Sequence, residues 1–300
     1  MTTLEPVRWD LPGEDSAGTQ PRFSIVVPAY NEAQFIENCL DSLLNQDFPG
    51  DVEIIVVDNN STDGTADLAR SKGVRVLHES QPGVCWARQC GTQAATGEIV
   101  ISTDADTVFA PTWLSTIDRR FRENPERVAV AGPCNFVESP TWGRIYAWTL
   151  FHLVKLLSFV TGRVLYVTAT NIAFRKSAWS GYDTFATQGG DELDLLRKLR
   201  ARGPVTFDIN NPVFTSSRRL YKGFAYNIVA TFLFYYLLGY ALNRITGRQV
   251  VGMAPAFRTK VRPAGRRRGM QVLVTAGVWL AIIAVVGGVG DLAIHIADRI

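Results

Sequence analysis

Residues 98–107 read EIVISTDADT, a run of apolar and β-branched side chains that ends in two aspartates separated by one alanine. Such a run predicts a strand that is buried on both faces, as in the interior of a parallel sheet. The strand places Asp104 and Asp106 at its carboxyl end. Two carboxylates this close are unfavourable unless a shared proton, an arginine or a divalent cation neutralises them. The rest of the chain must therefore supply one of these three.

Apolar runs that end in polar clusters also occur before residue 98, and segments with helical spacing separate them. The first run stops at Pro28 and is followed by a loop in which Asn31 is expected to cap the next helix. Strands that alternate with helices predict a doubly wound α/β fold with a mostly parallel sheet. We expect strands at 23–27, 52–57, 74–79 and 98–104, and helices at 32–46, 61–73 and 84–97.

Three polar clusters should meet at one edge of this sheet, because ligands of such sheets bind beyond the carboxyl ends of the strands. The clusters are PAYNE (28–32), DNNSTD (58–63) and DAD (104–106). Mg²⁺ or Mn²⁺ is commonly held by one or two carboxylates, with substrate phosphates completing its shell. Asp-x-Asp also occurs in ordinary surface turns. The pair by itself is therefore compatible with a metal site and with a turn.

Other charged residues near this edge also have two interpretations each. Asp58 suits a hydrogen bond from a base or a ribose hydroxyl, whereas turn chemistry explains Asp63 equally well. Arg88, on the third helix, faces either a phosphate or solvent. A later helix begins with three acids, which its dipole favours and one of which is a candidate general base. These acids are Asp191, Glu192 and Asp194.

The second half of the chain is rich in apolar segments. We expect a helix at 145–160, a strand pair at 164–179 and a helix at 189–203. The segments 224–242 and 272–289 contain no charged residue. Each is close to the roughly 20 residues that a membrane-spanning helix needs.

A basic stretch between the last two apolar segments bears on how many of them cross a membrane. Residues 249–269 contain six basic side chains and no acid. The positive-inside rule favours a single crossing by 272–289, with the basic stretch in the cytoplasm. Segments 145–160 and 224–242 then either lie on the membrane or pack as core helices, and both alternatives stay open.

Composition narrows the class of protein. The 300 residues, 47% of them hydrophobic, are enough for one large domain or two smaller ones. A net charge of +3 is too small to indicate a nucleic-acid binder. The four cysteines show no CxxC spacing, which disfavours a disulfide framework or a zinc site and fits a reducing compartment. The polar leader 1–21 lacks the apolar core of a signal peptide.

Four motifs together resemble family 2 glycosyltransferases of the GT-A fold. They follow the order and spacing of that family from about Phe23 to Tyr221. The resemblance implies a nucleotide-diphospho-sugar donor, a Mg²⁺ or Mn²⁺ cofactor, and an inverting single displacement. The choice between UDP and GDP stays open, with UDP taken as the default. The motifs are PAYNE (28–32), VVDNNSTDGT (56–65), GVCWARQCGTQAATGEIVISTDADT (83–107) and GGDELDL (189–195).

The resemblance also implies roles for the matching residues. Asp106 would be the principal metal ligand, and Asp104 would contact ribose, diphosphate or the metal. Either Arg218 or Arg219, in a segment similar to the family's Ser-x-Arg-Arg, would cover the diphosphate and stabilise its charge. The nucleotide-binding residues would be Pro28, Ala29, Tyr30, Glu32, Asp58, Arg88 and Asp104.

The chain departs from the family pattern at two places. The acidic pair that supplies the catalytic base usually reads Glu-Asp, whereas here it reads Asp191-Glu192. Alignment by position assigns the base to Glu192 and alignment by residue type to Asp191; Glu192 is slightly preferred. Cys90 stands where asparagine is frequent. The chain also lacks the QxxRW motif of processive synthases.

These observations lead to a hypothesis with four segments. After the leader come a GT-A catalytic domain (22–221), an apolar interfacial helix with a basic linker (222–269), and a transmembrane helix with a short tail (270–300). The hypothesis is sugar transfer to a lipid or saccharide hydroxyl, with the catalytic domain at the cytoplasmic face of the cell membrane. The alternatives are nucleotidyl transfer, disfavoured because PAYNEAQ contains no glycine, and a membrane-tethered nucleotide-binding scaffold without catalysis.

Overall fold

Four parallel strands form the first half of the central sheet in the computed structural model, which describes residues 20–182 and 190–223 and isolated positions between 226 and 251. All seven residues of β1 are buried. The predicted parallel arrangement is confirmed for this half. The strands are β1 (Phe23–Ala29), β2 (Val52–Asp58), β3 (Arg75–His78) and β4 (Ile99–Ser102), side by side in the order β3-β2-β1-β4.

Strand β1 does not stop at Pro28, as expected, but continues through it to Ala29. The carbonyl of Ala29 accepts a hydrogen bond from Asn59 N, on the side of β2. Alternate residues point to opposite neighbours, so Pro28 faces the side of β4. The pairing of β1 with β4 already ends at Val26 and Ser102. The missing N–H of Pro28 therefore costs no ladder hydrogen bond.

The second half of the sheet contains its one reversed strand. β8 (Ile172–Arg175) lies antiparallel between β4 and β6 (Ala129–Ala131), and β9 (Val205–Phe207) runs parallel to β6 at the edge. Of the strand pair expected at 164–179, only the second strand is present, as β8. Residues 164–171 form no strand. They instead make the loop that leads into β8 and contributes to the site.

Six helices connect these strands in the described part of the chain. Helix α1 begins at Ile36, after Phe35 at its N-cap, and Asn31 does not cap it. Asn31 adopts a left-handed conformation with φ of 53°, and its side chain bonds to the loop after β2 instead. The helices are α1 (Ile36–Leu44), α2 (Thr65–Ser71), α3 (Val84–Ala94), α4 (Trp113–Glu123), α5 (Thr141–Thr161) and α6 (Gly190–Arg200).

A second, three-stranded sheet stands beside the first, and nothing in the sequence pattern predicts it. Its strands are β5 (Thr107–Val108), β7 (Cys134–Val137) and β10 (Val213–Ser216), in the order β5-β10-β7. β10 pairs antiparallel with β5, immediately after Asp106. This pairing brings the segment after residue 212 to the aspartates.

The apolar segment 145–160 lies within α5, which packs one face against β7 and β9. In the described part of the chain, no helix is both long enough and apolar enough to span a membrane. The predicted crossing at 272–289 and nearly all of 224–242 lie outside the described residues, as do 1–19 of the leader.

Candidate active site

Side-chain hydrogen bonds tie together the loops after β1 and β2 at the carboxyl edge of the sheet. Thr62 N donates to Asn31 Oδ1 over 2.8 Å, and Glu32 N donates to Thr65 Oγ1 over 2.8 Å. Asp63 accepts hydrogen bonds from the backbone N–H and the hydroxyl of Thr65. Asp63 is therefore a turn residue, which is the role that turn chemistry predicts for it. These hydrogen bonds thus join the two loops into one side of the site.

Asp104 is held by a guanidinium and a hydroxyl. Arg88 Nη2 donates to Asp104 Oδ1 over 2.8 Å, and Thr170 Oγ1 donates to Asp104 Oδ2 over 2.6 Å. Arg88 is only 4% exposed, whereas the Asp104 side chain keeps 34% of its surface open. The interpretation of Arg88 as a solvated helix residue is therefore wrong. Asp104 is therefore partly exposed although both of its carboxylate oxygens accept hydrogen bonds.

Asp106 is held from the other side by one arginine that it shares with Glu32. Arg218 Nη2 donates to Asp106 Oδ2 over 2.7 Å and to Glu32 Oε1 over 2.8 Å. Thr215 Oγ1 donates to Asp106 Oδ1 over 3.0 Å. The guanidinium carbon of Arg218 also lies 4.7 Å from the centre of the Phe35 ring, a cation–π distance. Arg218 thus joins the loops after β1 and β4.

Burial and charge act in opposite directions on this group. Burial raises the pKa of Asp106; Arg218 lowers it, Asp104 raises it, and the net pKa lies above the ordinary value. Burial alone would lower the pKa of Arg218, but Glu32 and Asp106 outweigh burial and raise it. Among the described ion pairs, which include that of Arg88, three carboxylates face two guanidiniums and leave one negative charge. Each aspartate therefore has an arginine partner, but Arg218 is shared with Glu32, which leaves one carboxylate in excess among these pairs.

This donor set fits a hard divalent cation. Carboxylate oxygens are the ligands that Mg²⁺ and Mn²⁺ prefer, and the residual negative charge favours a cation. Within the described ranges, no cluster of three or more His, Cys, Asp or Glu side chains could enclose a metal by itself. The site therefore suits a cation that takes one or two carboxylates and completes its shell with substrate oxygens.

One donor at the centre faces no acceptor. Arg218 Nη1 is buried and makes no hydrogen bond to any group in the described ranges. A buried N–H without a partner costs about 1–3 kcal/mol, and more when the group is charged. An anionic ligand at this edge would supply the missing acceptor.

The residues expected to bind a nucleoside lie at the ends of β1 and β2. Pro28 and Ala29 are buried at the end of β1. Tyr30, the next residue, is 44% exposed. Asp58 ends β2, where its Oδ1 accepts a hydrogen bond from Ser61 N over 3.3 Å and its Oδ2 lies 3.5 Å from His78 Nδ1. An exposed ring thus lies near a mostly buried carboxylate.

Glu192, near the start of α6, contacts the loop that leads into β8. Its Oε1 accepts a hydrogen bond from Ala169 N over 3.3 Å, and the neighbouring Thr170 is the residue that binds Asp104. Glu192 and Asp104 therefore bind adjacent residues, Ala169 and Thr170, of the same loop. The side chain of Asp191 lies outside the described residues, and Asp194 is buried beside Arg197.

Only the first arginine of the pair 218–219 reaches the aspartates. Arg219 immediately precedes a short 3-10 turn, where its carbonyl accepts a hydrogen bond from Lys222 N. Sequence reasoning missed Thr170, Thr215 and Phe35, which complete the site. Isolated threonines and phenylalanines form no motif, and only the pairing of β10 with β5 brings Thr215 to Asp106.

The fold and the site define an α/β protein with an acidic, arginine-lined ligand edge. The model of the family "Glycosyl transferase family 2" matches residues 24–181, more than half of the chain. The chain belongs to this family. The match contains the predicted motifs as far as Asp106, and it ends before α6 and Arg218.

Curated relatives match over a similar part of the chain. A glycosyltransferase of Bacillus subtilis, EpsJ, described as uncharacterized, is 32% identical over 131 residues, covering 42% of this chain and 37% of its own. Glycosyltransferase AglE of Haloferax volcanii is 34% identical over 103 residues, covering 32% and 34%. The chain thus matches only about a third of the length of these relatives.

Solved structures share the fold at low sequence identity. S. aureus TarS 1-349 in complex with UDP has a TM-score of 0.54 at 21% identity, covering 67% of this chain and 62% of its own. The mannosyltransferase PcManGT of Pyrobaculum calidifontis, in complex with GDP-Man and Mn²⁺, has a TM-score of 0.51 at 24% identity, covering 70% and 60%. These similarities support the GT-A architecture of the described domain.

Proposed function

We propose that this protein is an inverting glycosyltransferase that moves a sugar from a nucleotide-diphospho-sugar to an acceptor hydroxyl. The observation that supports this most directly is the arrangement of Asp104 and Asp106, each paired with a different arginine, at the carboxyl edge of a family 2 domain. UDP is the default nucleotide. Neighbours of this fold were solved with UDP and with GDP-Man, so the donor is tested with both.

The proposed cofactor is Mg²⁺ or Mn²⁺, held by Asp106 with Asp104 beside it. When bound, the cation would offset the negative charge of the diphosphate leaving group. Arg218, through the Nη1 that has no partner in the described ranges, and Arg88 would face that charge, because they are the arginines that bind the two aspartates. A guanidinium preorganised in a buried site stabilises developing negative charge more than one in water does.

The proposed base is Glu192. The acceptor oxygen would form a bond to the anomeric carbon as the bond from that carbon to the diphosphate oxygen breaks, and the hydroxyl proton would pass to the Glu192 carboxylate. Its hydrogen bond to Ala169 N keeps this carboxylate next to the Asp104 side of the site. Asp58 and the exposed ring of Tyr30 would bind the nucleoside.

The acceptor and the location are part of the same proposal. We place the catalytic domain (22–221) at the cytoplasmic face of the cell membrane, with a lipid or a lipid-linked saccharide as acceptor. The supporting observations are the uncharged segment 272–289 and the basic residues that precede it.

The experiment is a nucleotide-sugar screen on the full chain. Thermal shift with UDP- and GDP-sugars, each with and without Mn²⁺, is followed by donor hydrolysis and transfer assays. We expect one nucleotide to raise the melting temperature, and more strongly with Mn²⁺ present. The matched variants are Asp106→Asn and Asp67→Asn, since Asp67 is an exposed acid on α2. Absence of any nucleotide effect, or an equal effect in both variants, would contradict the proposal.

A further inference from the structure

Helix α5 presents large apolar side chains to solvent along one face. Trp148 is 62% exposed, Leu156 56%, Phe159 84% and Val160 70%. At about 100° per residue, these four positions fall within one sector of the helix. Single exposed apolar residues are ordinary, but a contiguous group of them marks an interaction site. We call these four residues the α5 stripe.

The opposite face of α5 already has its packing partners. Ala147, Leu150, Phe151 and Val154 are buried, and the helix contacts β7 and β9. A Cβ added at Gly143 would come within 2.5 Å of Leu220 Cδ1, so the helix is closely seated. The stripe is therefore the outer face of a docked helix, and the core does not need it.

The charged residues around the α5 stripe indicate which kind of partner it binds. Residues 139–182 contain no aspartate or glutamate, while Lys155 and Arg144 on α5 and Arg163 just after it are exposed. On the same count, Lys155 and Arg144 lie about 20° and about 40° beyond the Trp148 border of this sector. An apolar face with tryptophan and phenylalanine, on a segment that carries basic but no acidic side chains, is the pattern of a helix that lies in the interface of an anionic bilayer.

We propose that the α5 stripe docks on an anionic lipid bilayer and holds the catalytic domain against it. The inference rests on the proposed function, because it names the surface at which the acceptor is met. The loop after α5 supports this link. Eight residues lie between Val160 and Ala169, so the Cα atoms of these two residues are at most about 32 Å apart. Ala169 binds the proposed base, Glu192. A docked stripe would therefore keep the acceptor side of the site near the headgroups.

The test measures insertion of the stripe itself, because segment 272–289 could attach the chain to vesicles without it. A fluorophore is attached to the full chain at Phe159→Cys, in a Cys90→Ser background, since the other native cysteines are buried. The matched control is Ser71→Cys, an exposed position on α2, which packs on β2 and β3 at the far edge of the sheet. Vesicles contain phosphatidylcholine with or without phosphatidylglycerol, and brominated lipids serve as quenchers.

We expect brominated lipid to quench the label at 159 by roughly two-fold and to leave the label at 71 unchanged, because such helices insert about 5–10 Å. Quenching should be stronger with phosphatidylglycerol and should weaken with salt. No quenching at 159, or equal quenching at both positions, would overturn the inference. The first result would indicate that another segment or a second copy covers the stripe. Nucleotide binding of the same samples is measured separately, so failure of the proposed function is distinguishable.

Discussion

The two aspartates of the site are held by two differently assembled regions. Asp104 pairs with Arg88, which is 16 residues away on the helix that precedes β4. Asp106 pairs with Arg218, which is 112 residues away and reaches it through the small sheet β5-β10-β7. Asp104 remains a third exposed on its side chain, whereas the Asp106 side chain is 13% exposed.

Because of this difference, we expect the two aspartates to respond differently when a ligand binds. The Asp104 region is built by the alternating strands and helices, so its geometry forms with the parallel sheet. The Asp106 region depends on β10, on Thr215 and on an arginine shared with Glu32. Its carboxylate is buried and bound to a cationic side chain that a ligand could attract away. We expect Asp106 to respond to ligands more strongly than Asp104.

The largest effect should come from replacing Asp106. Asp106→Asn keeps the shape of the side chain but removes the charge that would hold the cation. We expect transfer to fall by at least about 10²–10³-fold, while far-UV circular dichroism stays unchanged. Asp104→Asn, measured in the same assay, should cost less. Full metal-dependent turnover by the Asp106→Asn variant would show that Asp106 does not hold the cation and that the DAD motif has only a structural role.

Removal of the metal is the second test of the difference between Asp104 and Asp106. Excess EDTA should abolish transfer, and Mn²⁺ or Mg²⁺ should restore it. Restoration should require more Mn²⁺ in Asp106→Asn than in Asp104→Asn, because the buried carboxylate is the principal ligand. Full transfer by the unmodified chain in excess EDTA would contradict the metal site.

Arg218→Met should separate cation binding from nucleotide binding. Without nucleotide, the guanidinium occupies Asp106 Oδ2, so its removal should strengthen Mn²⁺ binding measured by electron paramagnetic resonance. Transfer should still fall, by about 10²-fold, because the diphosphate loses its arginine. Arg219→Met is the control, and we expect it to change Mn²⁺ binding and transfer much less than Arg218→Met does. Weaker Mn²⁺ binding in Arg218→Met would show that the arginine does not compete with the cation.

The two threonines allow a smaller, matched comparison. Thr170→Val removes one hydrogen bond to Asp104, and Thr215→Val removes one to Asp106. A hydrogen bond to a carboxylate is worth about 1.5–3 kcal/mol. We expect the Thr215 variant to lose more affinity for Mn²⁺-nucleotide, measured by calorimetry, because its carboxylate has less access to water. A larger loss in Thr170→Val would reverse the assignment of the principal ligand.

The smallest effect should come from replacing Asp208, a carboxylate in the second half of the chain that lies away from the site. We expect this replacement to change stability and to leave transfer unchanged. Asp208 is buried; burial raises its pKa, but Arg120, at 2.6 Å, and Asn210 N outweigh burial and lower it. A lowered pKa in the folded state stabilises the protein above the ordinary value of about 3.9, and this stability is lost as pH falls through the folded pKa. Asp208→Asn should therefore lower the free energy of unfolding near pH 7, and the deficit should shrink towards pH 3. Urea unfolding at both pH values measures it, with Asp67→Asn as control.

Much of the fold was predictable, because local pattern and long-range structure agree in the first half. The strands containing 23–27, 52–57 and 99–102 are apolar on both faces, as is typical of a parallel sheet that is covered on both sides. Asn31 shows the limit of local rules. Its residue type is typical of a helix cap, but its left-handed backbone and its bond to Thr62 serve the neighbouring loop. Tertiary hydrogen bonds outweighed a capping preference of about 1 kcal/mol.

The sequence by itself determined that Asp104 and Asp106 end a buried strand beside two other polar strand ends, because apolar runs report burial and parallel strands align their carboxyl ends. It could not determine what neutralises them. Shared proton, arginine and cation all satisfy the same spacing. Only the tertiary structure brought Arg218 and Thr215 to Asp106, and Arg88 and Thr170 to Asp104. Contacts between residues more than 100 positions apart, such as that of Arg218 with Asp106, depend on strand pairing, which leaves no periodic trace in the chain.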